Sequence, residues 1–297
     1  MPLASRLAGF VALTKPRIVE LLLVTTVPAM FVASRTVPSF RLVVLTVVGG
    51  AFAAGGANAF NMFYDRDIDA IMHRTRRRPL VSGSVSPSDA LALSVALEVG
   101  AFLLLWLAVN MLSALLALAA ALFYVGVYTM WLKRRSPSNI VIGGAAGAVP
   151  VLVGWSAVTG HLGAPAWVMF GIVFAWTPPH FWALAIARKH EYARAGIPML
   201  PVTHGVEHTR LQILLYSVLL ALVTLLPFIT GMSGLIYLAC VLVLDARFLY
   251  YAVRLKFRPR PQLPMQLFRY SISYLMWLFA ALLIDHYLPT TQLLFRV

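Results

Sequence analysis

The sequence predicts an all-α, polytopic membrane protein: a nine-helix transmembrane bundle forming one domain over residues 1–297, with its amino terminus in the cytoplasm and its carboxyl terminus outside. Three observations predict it. The chain is 61% hydrophobic and 11% charged, with a mean hydropathy of +0.84, which excludes an ordinary soluble domain. Its apolar residues come in stretches of the length that crosses a hydrocarbon layer, roughly 20 residues each. Its basic residues fall on alternate connections, 21 of the 24 on one side.

The first apolar run, at about 18–34, follows Lys15-Pro16-Arg17, is long and lacks a small-residue cleavage site, so it is expected to stay as an anchor. Runs at about 42–64, 89–109, 111–131, 139–159, 165–187, 211–230, 233–251 and 267–288 supply the other eight. The crowded side holds Arg6, Lys15 and Arg17; Arg66, Arg74, Arg76, Arg77 and Arg78; Lys133, Arg134 and Arg135; Arg188, Lys189, Arg194 and Arg210; and Arg247, Arg254, Lys256, Arg258, Arg260 and Arg269. The other side has only Arg35, Arg41 and Arg296, and nine is the odd number that this asymmetry requires. A net charge of +14 raises the question of nucleic acid, but the bases are divided among short loops, so no nucleic-acid partner is expected. The single cysteine, Cys240, permits neither an internal disulfide nor a thiolate cluster, and is expected to pack in the core.

At the end of the second run stand Asn61, Asp65 and Asp69. A spacing of i, i+4, i+8 turns successive side chains by only about 40°, so all three share one helical face. Carboxylates are costly at the edge of hydrocarbon, and topology needs Lys and Arg but has no use for aligned acids, so the stripe points to a bound cation. Magnesium is held by one or two carboxylates with substrate phosphate oxygens, and the loop that follows adds Arg74 and Arg78 for the remaining phosphate oxygens. A calcium loop is excluded, because its sixth position is Ala70 rather than Gly and its twelfth Arg76 rather than Glu. Asn58, one turn inward, extends the stripe or joins helices.

Further on, Tyr128 leads into Lys133, Arg134 and Arg135, which either neutralise a diphosphate or anchor the helix end. Gly143, Gly144 and Gly147 are read as helix packing. The sixth run ends Trp176-Thr-Pro-Pro-His180-Phe181-Trp182, where two prolines are expected to break the helix at membrane depth, facing protein or a cavity. His180 is read as a contact to a planar or prenyl substrate, with imidazole able to act as base or iron ligand. Glu191 adds an acid for a second Mg²⁺. His204-Gly-Val-Glu207-His208 matches a zinc peptidase pattern but lacks a third ligand, and is set aside.

At these residues the chain resembles the UbiA superfamily of intramembrane prenyltransferases, through Asn61-x-x-x-Asp65-x-x-x-Asp69. Within it the chain resembles the branch that farnesylates heme, through Met72-His-Arg74-Thr75-x-x-Arg-Pro79-Leu80, Tyr128-Thr129 with Leu132-Lys-Arg-Arg135, Asn139-Ile-Val-Ile-Gly-Gly144, Trp176-Thr-Pro-Pro-His-Phe-Trp-Ala-Leu184 and Gly196-Ile-Pro-Met-Leu-Pro201. The resemblance implies a bundle of UbiA type with a central cavity opening to lipid, and transfer of farnesyl from farnesyl diphosphate to heme B, giving heme O. It implies Mg²⁺ on Asn61, Asp65 and Asp69, with Glu191 standing where the superfamily has a second paired-aspartate motif. Diphosphate would be neutralised by Arg78, Lys133 and Arg134, and Tyr128, Phe181 and Trp182 would face the developing carbocation. The expected setting is the bacterial plasma membrane with the site loops cytoplasmic, and an association with a downstream heme-modifying enzyme or terminal oxidase assembly. The rivals are a quinone-type prenyltransferase and a transporter or channel. The latter is disfavoured because the polar residues gather on one face of the membrane.

Overall fold

A chain in lipid must satisfy its backbone N–H and C=O groups internally, and these apolar stretches do so as helices. The computed structural model describes residues 3–34 and 36–288; Arg35 and Arg296 lie outside them, as do the side chains of Arg6 and Arg17. In order come α1 (Leu3–Leu13), α2 (Pro16–Ala33), α3 (Phe40–Tyr64), α4 (Arg66–Ile71), α5 (Pro87–Ala108) and α6 (Met111–Leu122). A π-helical segment (Phe123–Leu132) and α7 (Lys133–Arg135) continue α6 as one rod. Then follow α8 (Asn139–Thr159), α9 (Ala164–Ala187), α10 (Lys189–Arg194), α11 (Leu200–Thr203), α12 (Gly205–Thr224), α13 (Leu226–Ile229), α14 (Leu235–Phe257) and α15 (Leu263–Tyr287).

Eight crossings are found among the described residues where nine are expected; α2 is helical over 18 residues, but its fully described apolar part is only Val24–Ala33. The expected spans otherwise coincide with helices. Sequence reading missed α1, whose Leu13 packs with Ala59, Met62 and Val85 under the polar end of α3. It also missed the π segment, a wide turn of the kind that collects at functional sites.

α2, α8, α9, α12, α14 and α15 form the larger part of the bundle, and α15 closes back onto α2. Its core includes Met169, Ile172, Phe248, Tyr274 and Phe279. α3, α5 and α6 pack through small residues, among them Ala53, Ala101, Ala114 and Ala117, as close helix approach in lipid requires. Backbones approach closely at Gly154, where a Cβ would come within 2.4 Å of the Thr26 carbonyl oxygen.

Three expectations are corrected. Cys240 is exposed, because α14 buries the stripe Tyr237, Val241, Asp245, Phe248 and Ala252, and Cys240 lies off it. Pro178 and Pro179 sit inside an unbroken α9, whose turns are clamped by α8, α12 and α15, while Thr177 Oγ1 donates to the Val173 carbonyl at 2.8 Å. Polar groups are not confined to one end: Asp245 accepts from Thr224 Oγ1 (2.8 Å) and Tyr274 (2.6 Å), and Asp285 accepts from the Gly234 and Tyr237 amides at the start of α14. These acids are built into helix contacts, as buried polar groups must be.

Candidate active site

α3 ends at Tyr64, yet its ladder runs on: the Asp65 amide donates to the Asn61 carbonyl at 3.0 Å and the Asp69 amide to the Asp65 carbonyl at 2.9 Å. α4 therefore carries the helical register past the end of α3. Asn61, Asp65 and Asp69 form the stacked face that their spacing predicts, at 3%, 0% and 3% exposure. Asn58 takes no part; its Nδ2 donates to the Thr14 carbonyl at 3.3 Å and ties α3 to the α1–α2 junction.

Cations from three other segments converge on this face. Lys15 Nζ donates to Asn61 Oδ1 at 2.8 Å. Lys133 bonds to Asp65 Oδ2, which also accepts from Asn61 Nδ2 at 2.7 Å. Arg134 reaches Asp65 Oδ1 at 3.4 Å and grips Asp67 with both nitrogens, at 2.7 and 2.6 Å. Arg78 pairs with Asp69 at 2.5 Å, and Thr129 accepts from Asn61 Nδ2 at 3.3 Å. Arg134 holds the Asp67 carboxyl below its ordinary range. Burial, then the charges of Arg78 and Lys133, pushes the Lys15 ammonium well below its ordinary range. Lys15 is also the one non-glycine among the described residues with positive φ, 51°, so its backbone is strained to reach Asn61.

Glu191 is buried on α10, where Oε1 accepts from Arg188 at 2.9 Å and Oε2 has no partner. Asn139 Oδ1, Arg134 Nε and Arg188 Nε are likewise buried without partners. Beside Glu191, burial raises the Tyr192 hydroxyl above its ordinary range. No three His, Cys, Asp or Glu side chains converge among the described residues, so Glu191 does not join Asp65 and Asp69 in one cluster. The His204–His208 pattern is no metal site either, since Glu207 pairs with Lys256 and Arg210.

Below this polar end the neighbouring side chains turn aromatic. Tyr128, on the π segment, stacks on Tyr124 at 5.3 Å and fits against Gly143, where a Cβ would lie 2.4 Å from its ring. Gly144 meets Thr177 in the same way, whereas Gly147 faces open space. His180 lies seven residues inside the end of α9, about 10 Å below the rim. It is buried against Trp176, with Phe181 edge-on at 4.9 Å. Trp182 packs edge-on against Tyr216 at 5.2 Å, between α9 and α12. Arg74 is exposed on its loop. Sequence reasoning missed Lys15 as a site residue, having counted it as a topological charge, and missed Thr129 and Arg188.

The family model described as "UbiA prenyltransferase family" matches residues 22–281. A protoheme IX farnesyltransferase of Alcanivorax borkumensis is 51% identical over 284 residues, covering 95% of this chain and 94% of that one. One of Marinobacter nauticus is 52% identical over 279 residues, covering 94% and 92%. Among solved structures, a digeranylgeranylglyceryl phosphate synthase superposes with a TM-score of 0.79 at 19% identity, over 95% of this chain and 98% of that one. A UbiA homolog from Archaeoglobus fulgidus bound to DMAPP and Mg²⁺ superposes with a TM-score of 0.64 at 19% identity, over 92% and 99%.

Proposed function

The chain belongs to the UbiA prenyltransferase family, and from that premise we infer that it transfers farnesyl from farnesyl diphosphate to a vinyl group of heme B, giving heme O. One observation carries the reading: relatives half identical over nine-tenths of the chain bear that activity in their names, and the candidate site residues other than Lys15 fall inside the matched span. The same names favour heme over a quinone precursor as acceptor.

The donor set fits Mg²⁺. It offers hard oxygens only, from two carboxylates and an amide on one face, and Glu191 keeps a buried, unpartnered oxygen for a second ion. Bound by Asn61, Asp65 and Asp69, Mg²⁺ would neutralise the charge that grows on the leaving diphosphate. Arg78, Lys133 and Arg134 would hold the remaining phosphate oxygens, with Arg74 at the entrance. The allylic C–O bond breaks with its electron pair leaving on the diphosphate. The heme vinyl π pair then forms the new C–C bond, and water adds to the resulting cation and loses a proton. Tyr128 and Phe181 present ring faces or edges to the cationic stage and keep water sparse. Trp182 supports α9 from behind. His180 contacts the macrocycle.

The side to which the sequence assigns 21 of 24 basic residues, that of the acid-bearing rim, faces the cytoplasm of a bacterial plasma membrane, and heme O passes to a downstream heme-modifying enzyme or terminal oxidase assembly. The test is turnover of detergent-purified protein with heme B and farnesyl diphosphate, with and without Mg²⁺, read by product mass. A Mg²⁺-dependent product of heme O mass is expected; heme left unchanged by folded protein overturns the reading.

A further inference from the structure

His180 is enclosed on both ring faces, by Trp176 with ring centroids 4.2 Å apart and by Phe268 at 4.6 Å. Its Nδ1 lies 2.6 Å from Ser271 Oγ on α15. The Ser271 hydroxyl spends its single proton on the Phe268 carbonyl, 2.7 Å away, so toward His180 it acts as acceptor. Nδ1 therefore carries the imidazole proton. Among the described residues no carboxylate pairs with the ring to hold a second one, which leaves the lone pair on Nε2. Among the described residues Nε2 makes no hydrogen bond. Ser271 has a second hold on the same ring: its carbonyl accepts from Trp176 Nε1 at 2.8 Å, fixing the indole that lies on the imidazole face.

A histidine with one nitrogen tied to an oxygen acceptor and the other free in an apolar surround is the arrangement that ligates metals, the tied nitrogen setting tautomer and ring orientation. The substrate inferred above brings an iron of its own. We propose that Ser271 is a positioning residue that locks His180 in the Nδ1–H tautomer, so that Nε2 ligates the heme iron and sets the vinyl group below the prenyl diphosphate. The depths agree. Ser271 lies eight residues inside the start of α15 and His180 seven inside the end of α9, both about 10–12 Å below the acid-bearing rim. The proposal rests on the heme reading.

The experiment loads purified wild type, Ser271→Ala, Ser271→Thr and His180→Ala with heme B and records the Soret band and heme affinity, with the KM for farnesyl diphosphate as a fold control. In Ser271→Ala the band is expected to shift and heme affinity to fall roughly 10–100-fold at unchanged farnesyl diphosphate KM, while Ser271→Thr, which keeps the hydroxyl, stays with wild type. Should Ser271→Ala not fold, Ser271→Cys replaces it. Wild-type spectrum and affinity in Ser271→Ala overturn the proposal, as does equal damage in Ser271→Thr, which assigns the effect to packing. An unchanged band in His180→Ala overturns it too. Failure of the parent reading shows separately, as wild type that yields no heme O by mass, and overturns both.

Discussion

Asp65 and Asp67 stand two residues apart in one acidic motif, yet they differ in surroundings. The Asp65 side chain is 0% exposed and accepts from Asn61, Lys133 and Arg134, whereas that of Asp67 is 59% exposed and pairs with Arg134. Each is replaced by Asn, which keeps the shape and removes the charge. An exposed ion pair is worth about 0–1 kcal/mol, so Asp67→Asn should lower turnover at most about fivefold. On the proposed function Asp65 would face the charge that develops on the diphosphate, where loss of one preorganised group costs roughly 10²–10³ in rate, or about 2.7–4 kcal/mol. The two variants should therefore differ by at least about twentyfold at saturating Mg²⁺. Initial rates of heme O formation, measured by mass beside an unfolding midpoint for each variant, check this. Asp65→Asn within fivefold of wild type, or the two variants falling together, would refute the assignment of the site to the buried face.

Chelation by EDTA should abolish turnover and added Mg²⁺ restore it; undiminished rates in EDTA would remove the metal from the reading. Arg78→Gln should raise the KM for farnesyl diphosphate about tenfold or more, as loss of a charge-assisted bond to phosphate does, while exposed Arg77→Gln leaves it within about twofold; steady-state kinetics separate them. Gly154→Ala should destabilise by about 1–3 kcal/mol, because its Cβ meets the Thr26 backbone, whereas Gly147→Ala, in open space, should be neutral or stabilise by up to about 1 kcal/mol. Thermal unfolding in detergent ranks them, and the reverse order would contradict the packing.

What the sequence made legible is what depends on local pattern. Spans follow from the length of apolar runs, and the stacking of Asn61, Asp65 and Asp69 follows from helical period, which survives the junction at Asp65 because its hydrogen bonds continue. Facing is a different matter. Hydropathy measures a run and not its orientation, so it cannot tell that Cys240 lies outside the stripe of Tyr237 and Val241, or that Trp182 turns toward Tyr216. The π segment inserts extra residues into turns with no composition of its own to mark them. Partners across the bundle are equally silent: Lys15 meets Asn61 across 46 residues, and Ser271 meets His180 across 91.

The acids that would hold the ion already have partners, and this explains how so charged a site folds at the edge of hydrocarbon. Asp65, Asp67, Asp69 and Glu191 are matched by Lys133, Arg134, Arg78 and Arg188, and Lys15 sits on the amide of Asn61. Without these pairs, ionised carboxylates at this depth would be neutralised or would cost several kcal/mol each. The same pairs tie the α1–α2 junction, the loop after α4 and the rod ending in α7 to the tip of α3. A metal-bound diphosphate would bring both signs of charge into the cluster, so that Asp65 and Asp69 would hold the metal while Lys133, Arg134 and Arg78 would hold phosphate in place of carboxylate. Contacts are exchanged, and no buried charge is stranded at any stage. Removing one cation therefore acts twice: it loosens the substrate-free protein and takes a grip from the diphosphate, so variants at Lys133 and Arg78 should lower the unfolding midpoint and raise the KM together.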